Sequence, residues 1–271
     1  MKLACLGPAG TFGEEAARKY APGAELVLCP SHAAVAAAVE SHRADCGIVG
    51  IENSLSGSVA ETLDILIHDT KLQIQAELVL PVVHNLVVKP GVRAEQVKVI
   101  FSHPAAPGQC RKFIESHFAG AQVEAALSTA EAVERTMRRD DSAAIANLRA
   151  AELYGAEVLF QGIQDTDNNV TRFVVLGHES VPPTGRDRTS IAFTFPADRP
   201  GVLAAVLAEF AKRSINCSKI ESRPTREAFG EYVFLVDFEG HVAEPKFADV
   251  IDTIRPLCAE VKVFGSYPRW R

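Results

Sequence analysis

Apolar and polar positions along the chain follow two rhythms, and the change between them falls near residue 180. Before it, short apolar runs end in glycine- or serine-rich turns, and each turn opens a helical pattern. Residues 2–6 form such a run, Gly7-Pro8-Ala9-Gly10-Thr11 is the turn, and 12–20 reads as a helix. A strand at 25–28 follows, then Ser31 capping a helix to about His42, then a strand at 46–51 and a helix from Val59 to about His68. Two extended runs, 72–80 and 82–88, are split by Pro81. Strands at 97–101, 122–126, 142–146 and 158–160 then alternate with helices ending near Phe118, Met137 and Tyr154. Repeated strand–loop–helix units predict parallel sheets covered by helices, with ligands at the carboxyl ends of the strands. The crossing near 72–82 and the return near 160–175 predict hinges between two lobes, 1–78 plus 171–180 and 79–170. Past a polar linker at 181–188 the order becomes βαββαβ over 189–271, the ferredoxin-like plan.

Several polar residues fall where the strands of this plan end. In Asn168-Asn169-Val170-Thr171-Arg172-Phe173 two amides, a hydroxyl and a guanidinium stand at the mouth of an apolar strand. Arg172 can grip a carboxylate with two parallel N–H bonds, and Thr171 offers one proton and two lone pairs. A lone Thr-Arg pair at a strand end is by itself the mark of a surface arginine. Gly10 and Thr11 can present backbone amides to an anion, or form a plain tight turn. The loop from Glu52 through Asn53 and Ser54 to Ser58 places a carboxylate among three serines and an amide, or is a solvated loop. Ser102 and Gln109 can face one cleft across the loop between them. His84, inside a strand, reads as a hydrogen-bonded core residue.

Composition narrows the function. The 271 residues carry a formal charge of -6, with 47% hydrophobic and 23% charged side chains, an ordinary globular balance. A mildly acidic chain is a poor nucleic-acid binder. No window reaches the apolar length of a membrane span, and the start is too short an apolar run for a signal peptide. The six cysteines include no C-x-x-C pair and several lie in apolar strands, which suits reduced, buried thiols in the cytosol. No His/Cys/carboxylate cluster has zinc spacing, so no metal is expected.

The motifs together resemble prephenate dehydratase of the monofunctional kind: a two-lobed, periplasmic-binding-protein-like α/β catalytic domain followed by an amino-acid-sensing ACT domain. The matching blocks are GPAGTF at 7–12, GIVGIENSLSGSV at 47–59, HNLVV at 84–88, SHPAAPGQC at 102–110, NNVTRFVVLG at 168–177, PGVLAAVL at 200–207 and ESRP at 221–224. Gly50 stands where the family usually has proline, Pro107-Gly108 replace helix formers, and Gly201-Val202-Leu203 replaces the commoner Gly-Ala-Leu. No helical domain precedes Met1, so a fused chorismate mutase is not expected.

The resemblance implies a carbon–oxygen lyase without cofactor, in which aromatisation drives loss of water and carbon dioxide from prephenate. It implies functional weight on Thr171, Asn53, Ser102 and Gln109. Arg172, with Gly10, Thr11, Ser54, Asn169 and Phe173, is then expected at the substrate. Glu52 is either an acid raised by burial or a partner of Arg172. The resemblance also implies L-phenylalanine as effector near Gly201, Val202, Leu203 and Asn216, with Glu221, Ser222, Arg223 and Pro224 at that pocket or its interface, and a homodimer or homotetramer. Arogenate dehydratase is the enzymatic alternative, and a non-catalytic amino-acid sensor is the alternative of another class.

Overall fold

The computed structural model describes residues 1–225 and 230–270. The chain forms two compact units, Met1–Thr62 with Leu78–Phe173, and Leu63–Glu77 with Val174–Arg271. The second unit therefore reaches back to a segment that sequence order assigns to the first lobe.

The chain begins with β1 (Lys2–Leu6), α1 (Phe12–Tyr20), β2 (Glu25–Cys29), α2 (His32–Glu40), β3 (Cys46–Asn53), β4 (Gly57–Ser58) and α3 (Ala60–Asp64). One π-helical turn, Ile65–Asp69, and β5 (Gln73–Pro81) follow. Thr11 and Ser31 cap α1 and α2, their hydroxyls accepting the amides of Glu14 and Ala34. The first sheet has the order β2-β1-β3-β11-β5, where β11 is the returning strand Val170–Gly177 and β4 pairs with β3. Strand β1 is parallel to β2 and to β3.

The second lobe contains β6 (Asn85–Val88), β7 (Val99–Ser102), α4 (Arg111–His117), β8 (Gln122–Ala125), α5 (Thr129–Thr136), β9 (Ser142–Ala146), α6 (Leu148–Tyr154) and β10 (Glu157–Phe160), in sheet order β10-β6-β9-β7-β8. The expected parallel sheet is mixed. Strand β7 is parallel to β8 and β9, but β6 is antiparallel to both β9 and β10. The cause is topological: β6 enters directly from the hinge, without a crossover helix to reverse the chain.

The C-terminal sequence forms β12 (Asp187–Thr194), α7 (Val202–Lys212), β13 (Cys217–Pro224), β14 (Tyr232–Glu239), α8 (Pro245–Ile254) and β15 (Glu260–Pro268). Its antiparallel sheet has the order β13-β14-β12-β15. Helices and sheet share a core of Ile191, Phe193, Val206, Phe210, Val236, Phe238, Val250 and Ile254, the expected ferredoxin-like packing. Two boundaries have identifiable local causes. Gly201, at φ 88°, holds the start of α7 back to Val202. Strand β15 runs four residues past Phe264 because its polar end is satisfied inside: Ser266 Oγ lies 2.7 Å from Thr189 Oγ1, and Tyr267 OH lies 2.7 Å from Ser190 Oγ.

In the first lobe β3 packs against α2 with no side chain at Gly47. A Cβ built there would stand 2.7 Å from Val35 Cγ1 and 3.0 Å from Val39 Cγ2. Both valines are buried, so neither can move away freely. Gly47→Ala should cost about 1–3 kcal/mol by overpacking, read as a lower urea midpoint. An unchanged midpoint would show that α2 shifts freely on the sheet.

Candidate active site

A cavity of about 920 Å³ opens between the lobes of the first unit. Apolar walls come from Leu6, Phe12, Ile48, Val59, Ala106 and Phe173, and both lobes supply polar groups. Thr171 and Phe173 of β11 line it. Arg172, between them, falls on the other side of the strand and is buried there.

A chain of oriented amides crosses this cleft. Asn53, at the end of β3, accepts the amides of Leu55 and Ser56 on Oδ1, at 3.0 and 2.9 Å. That fixes which end of the side chain is Nδ2. Nδ2 then donates to Thr171 Oγ1 at 3.0 Å, to Asn169 Oδ1 at 2.8 Å and to the Val170 carbonyl at 3.1 Å. Asn169, buried, donates through Nδ2 to Gln109 Oε1 at 2.7 Å. Gln109 Oε1 also lies 2.8 Å from His84 Nε2. An amide oxygen only accepts, so His84 carries its proton on Nε2. Burial pushes the His84 pKa down, against the opposing effect of Gln109, so the ring is neutral. Two consequences follow. The Thr171 oxygen is already an acceptor, which leaves its hydroxyl proton to donate. Gln109 has its oxygen occupied from two sides, which leaves its NH2 for a ligand.

Other expected site residues are placed differently. Ser102 is fully buried, donates to the His103 carbonyl at 3.1 Å, and does not line the cavity. Its neighbour His103 does. Ser54 ties down backbone: its hydroxyl donates to the Asn168 carbonyl at 2.7 Å and accepts the Val170 amide at 3.0 Å. Glu52 is not buried among serines. Its side chain is 38% exposed and its Oε2 lies 2.9 Å from a terminal nitrogen of Arg172, so the pairing alternative is the one found. The Gly10 amide donates to Glu14 Oε2 at 2.5 Å, and a carboxylate there opposes an anion on the same turn. Thr11 lines the cavity while its hydroxyl donates to the Leu6 carbonyl at 2.9 Å. His84 is the buried, hydrogen-bonded residue the sequence suggests, and it also lines the cavity, as do His32 and His103, which the sequence reading does not single out. The break that His84-Asn85 makes in an apolar run was the available signal for the first. Nothing in the sequence marks the other two.

In the second unit, strand alternation divides the ESRP block. Glu221 and Arg223 share one face of β13, where Arg223 lies 3.0 Å from Asp64 and 3.7 Å from Glu221. Ser222 and Pro224 are exposed on the other. Gly201 is exposed, Val202 and Leu203 are partly buried, and Asn216 is exposed with its carbonyl accepting the Glu239 amide at 3.0 Å. The six cysteines are free, and burial pushes the Cys5 and Cys110 thiols up to about 12. Among the described residues no group of three or more His, Cys, Asp and Glu is placed to hold a metal, and no helix is long and apolar enough to cross a membrane.

Fold and cleft define a two-lobed α/β protein whose cavity is lined by neutral hydrogen-bond donors and whose chain also forms a ferredoxin-like module. The model of the prephenate dehydratase family matches residues 3–181 and that of the ACT domain residues 190–255. A prephenate dehydratase of Amycolatopsis methanolica is 40% identical over 272 residues, 99% of this chain and 88% of that protein. The prephenate dehydratase of Arthrobacter aurescens, solved in complex with L-Phe, superposes with a TM-score of 0.92 at 34% identity, covering 99% of this chain and 90% of the other. GqqA, described as a novel type of quorum quenching acylase, gives 0.90 at 29% identity, covering 100% and 98%. The chain belongs to the prephenate dehydratase family.

Glu14 holds the glycine turn at the cleft mouth. It is 1% exposed, takes the Gly10 amide, and pairs with Arg18 at 2.5 Å and with Arg149 of the other lobe at 3.5 Å. Burial, the largest single influence, favours its neutral form. The Gly10 bond, Arg18 and Arg149 together outweigh it and hold the pKa below its ordinary 4.5. Between those two values the unfolded chain binds more protons, so Glu14 stabilises the fold above 4.5 and ceases to as pH falls through the folded value. Glu14→Gln should cost about 1–3 kcal/mol at pH 7, and the gap to the native protein should narrow below pH 4.5. Urea unfolding across that range checks it, and a gap independent of pH would refute the linkage.

Proposed function

We propose that the cleft converts prephenate to phenylpyruvate, carbon dioxide and water. The reaction removes the ring carboxylate as carbon dioxide. Its bonding pair moves into the ring, and the ring hydroxyl leaves as hydroxide, which takes a proton from solvent to become water. Aromatisation supplies the driving force, so the protein must orient the ring and stabilise the leaving oxygen. The observation that carries this reading is the Asn53–Thr171 bond at 3.0 Å, in which the oxygen of a cleft-lining hydroxyl accepts and its proton is left to donate. Thr171 is too weak an acid to ionise, so it acts by hydrogen bonding to the departing oxygen, with the Gln109 NH2 as a second donor. Around the reacting ring, the apolar walls favour loss of a carboxylate that is poorly solvated there.

The ACT module is read as the sensor of L-phenylalanine, supported by the complex described for the Arthrobacter relative. Binding inhibits where it favours a less active state of the catalytic unit. Strand β13 is a sheet edge with Ile220 50% exposed, a surface suited to pairing with a second copy as a homodimer or homotetramer. The setting proposed is the cytoplasm. A second reading, hydrolysis of an acylated amine, is favoured by the extent of the apolar walls, which suit an acyl chain.

Phenylpyruvate formation is the test, from prephenate and from arogenate, each with and without L-phenylalanine. Prephenate turnover suppressed by phenylalanine is expected. Preference for arogenate would change the substrate and keep the mechanism. Phenylalanine binding without turnover of either would make the protein a sensor, and release of free amine from an acylated amine would favour the second reading. Thr171→Ala should lower kcat by about 10²-fold or more with KM little changed. Full turnover in that variant would remove Thr171 from the chemistry.

A further inference from the structure

If the dehydratase reading holds, the cleft must bind a dianion, and the arginine that the sequence suggests for it is paired with Glu52 away from the cavity wall. Among the described residues the cavity lining contains no lysine or arginine, and its basic side chains are His32, His84 and His103. Two of these rings are neutral. Burial pushes His84 down, with Gln109 opposing, and its Nε2 proton is committed to Gln109. Burial likewise pushes His103 down, and its Nδ1 accepts the Ala105 amide at 3.3 Å.

His32 differs. It is the first residue of α2, its side chain is 14% exposed, and its Nδ1 lies 3.0 Å from Glu61 Oε2. Glu61 also accepts the Ala33 amide at 3.4 Å. Burial opposes ionisation of Glu61, but the bond to His32, the charge of that ring and the backbone amides outweigh it and hold its carboxyl below the usual range. An ionised carboxylate only accepts, so Nδ1 carries a proton and Nε2 is the ring atom left for a ligand.

We propose that His32, oriented by Glu61, binds the side-chain carboxylate of the substrate through Nε2, which takes up a proton with that ligand. The chemistry selects between the two carboxylates. The ring carboxylate must give up its charge as carbon dioxide, and a cation held against it would stabilise the charge that has to leave. The side-chain carboxylate keeps its charge from substrate through transition state to product. A cation there binds all three alike, which lowers KM without altering the chemical step. His32 is thus a substrate-binding residue and Glu61 a positioning residue acting through it.

The test is steady-state kinetics on the full chain with His32→Gln, Glu61→Gln and His32→Lys, together with product inhibition by phenylpyruvate, which retains the side-chain carboxylate. In His32→Gln, KM should rise about tenfold, equivalent to about 1.4 kcal/mol of binding, with kcat within about twofold. The phenylpyruvate inhibition constant should rise by the same factor. Glu61→Gln should show the same pattern more weakly, and His32→Lys should recover part of the loss. Because Glu61 is half-exposed, its variant carries the same readout should His32→Gln fail to fold. Native turnover with both constants unchanged in the variants would overturn the His32 assignment alone. A fall in kcat with KM unchanged would also overturn it, by placing His32 in the chemistry. Absence of native turnover would overturn the dehydratase reading and this proposal with it.

Discussion

A β-strand sends successive side chains to opposite faces, and in β11 that geometry separates two tasks. Thr171 and Phe173 face the cavity, while Arg172 faces away and pairs with Glu52. The cleft wall at this strand therefore offers a hydroxyl and an aromatic ring without a guanidinium beside them. Asn53 is committed from both ends, its oxygen to the loop it closes and its nitrogen to β11, so loop and strand hold each other in register. A flipped amide would lose the bonds to the Leu55 and Ser56 amides, to Asn169 Oδ1 and to the Val170 carbonyl together, which makes its orientation far more secure than a single hydrogen bond could.

The same logic extends across the lobes. Asn169 and Gln109 pass the orientation from β11 to the loop before α4, and His84 closes the chain on Gln109. Each member is neutral. Inside a cavity with extensive apolar walls, neutral donors avoid the desolvation cost that fixed charges would carry. They also keep the ring carboxylate free of a counter-ion that would hold it in place.

Much of this was legible in the sequence, for physical reasons that differ from residue to residue. The elements follow from apolar periodicity and from Ser31 acting as a cap. The ferredoxin-like module follows from a change of rhythm after a proline-rich linker. Thr171 and Asn53 stand out as polar residues at strand ends, where a sheet can aim them, and Gln109 stands out in the loop that follows a strand. Arg172 was drawn the wrong way, because the guanidinium suggested a carboxylate ligand while the alternation that turns it from the cleft went unweighed. Its partner Glu52 lies 120 positions away, a distance no local pattern spans. Ser102 shares a block with His103, and only the fold decides which of the two lines the cavity. The last turn of β15 was hidden because Ser266 and Tyr267 look exposed until the sheet supplies their partners.

The membership of Leu63–Glu77 in the second unit bears on modularity. Within that unit Lys262 donates to the carbonyls of Ile67 and Thr70 at 3.0 and 2.9 Å, and the backbone at Gly265 passes so close to Ile74 that a Cβ there would lie 2.4 Å from its carbonyl. Cutting the chain in the linker would divide this unit rather than release it. The amino-terminal fragment would keep the 63–77 segment with its carbonyls and Ile74 uncovered, and the carboxyl-terminal fragment would lack part of its own packing. The ACT module is thus interleaved with the catalytic unit along the sequence, and a lineage could discard it only by rebuilding residues 63–77.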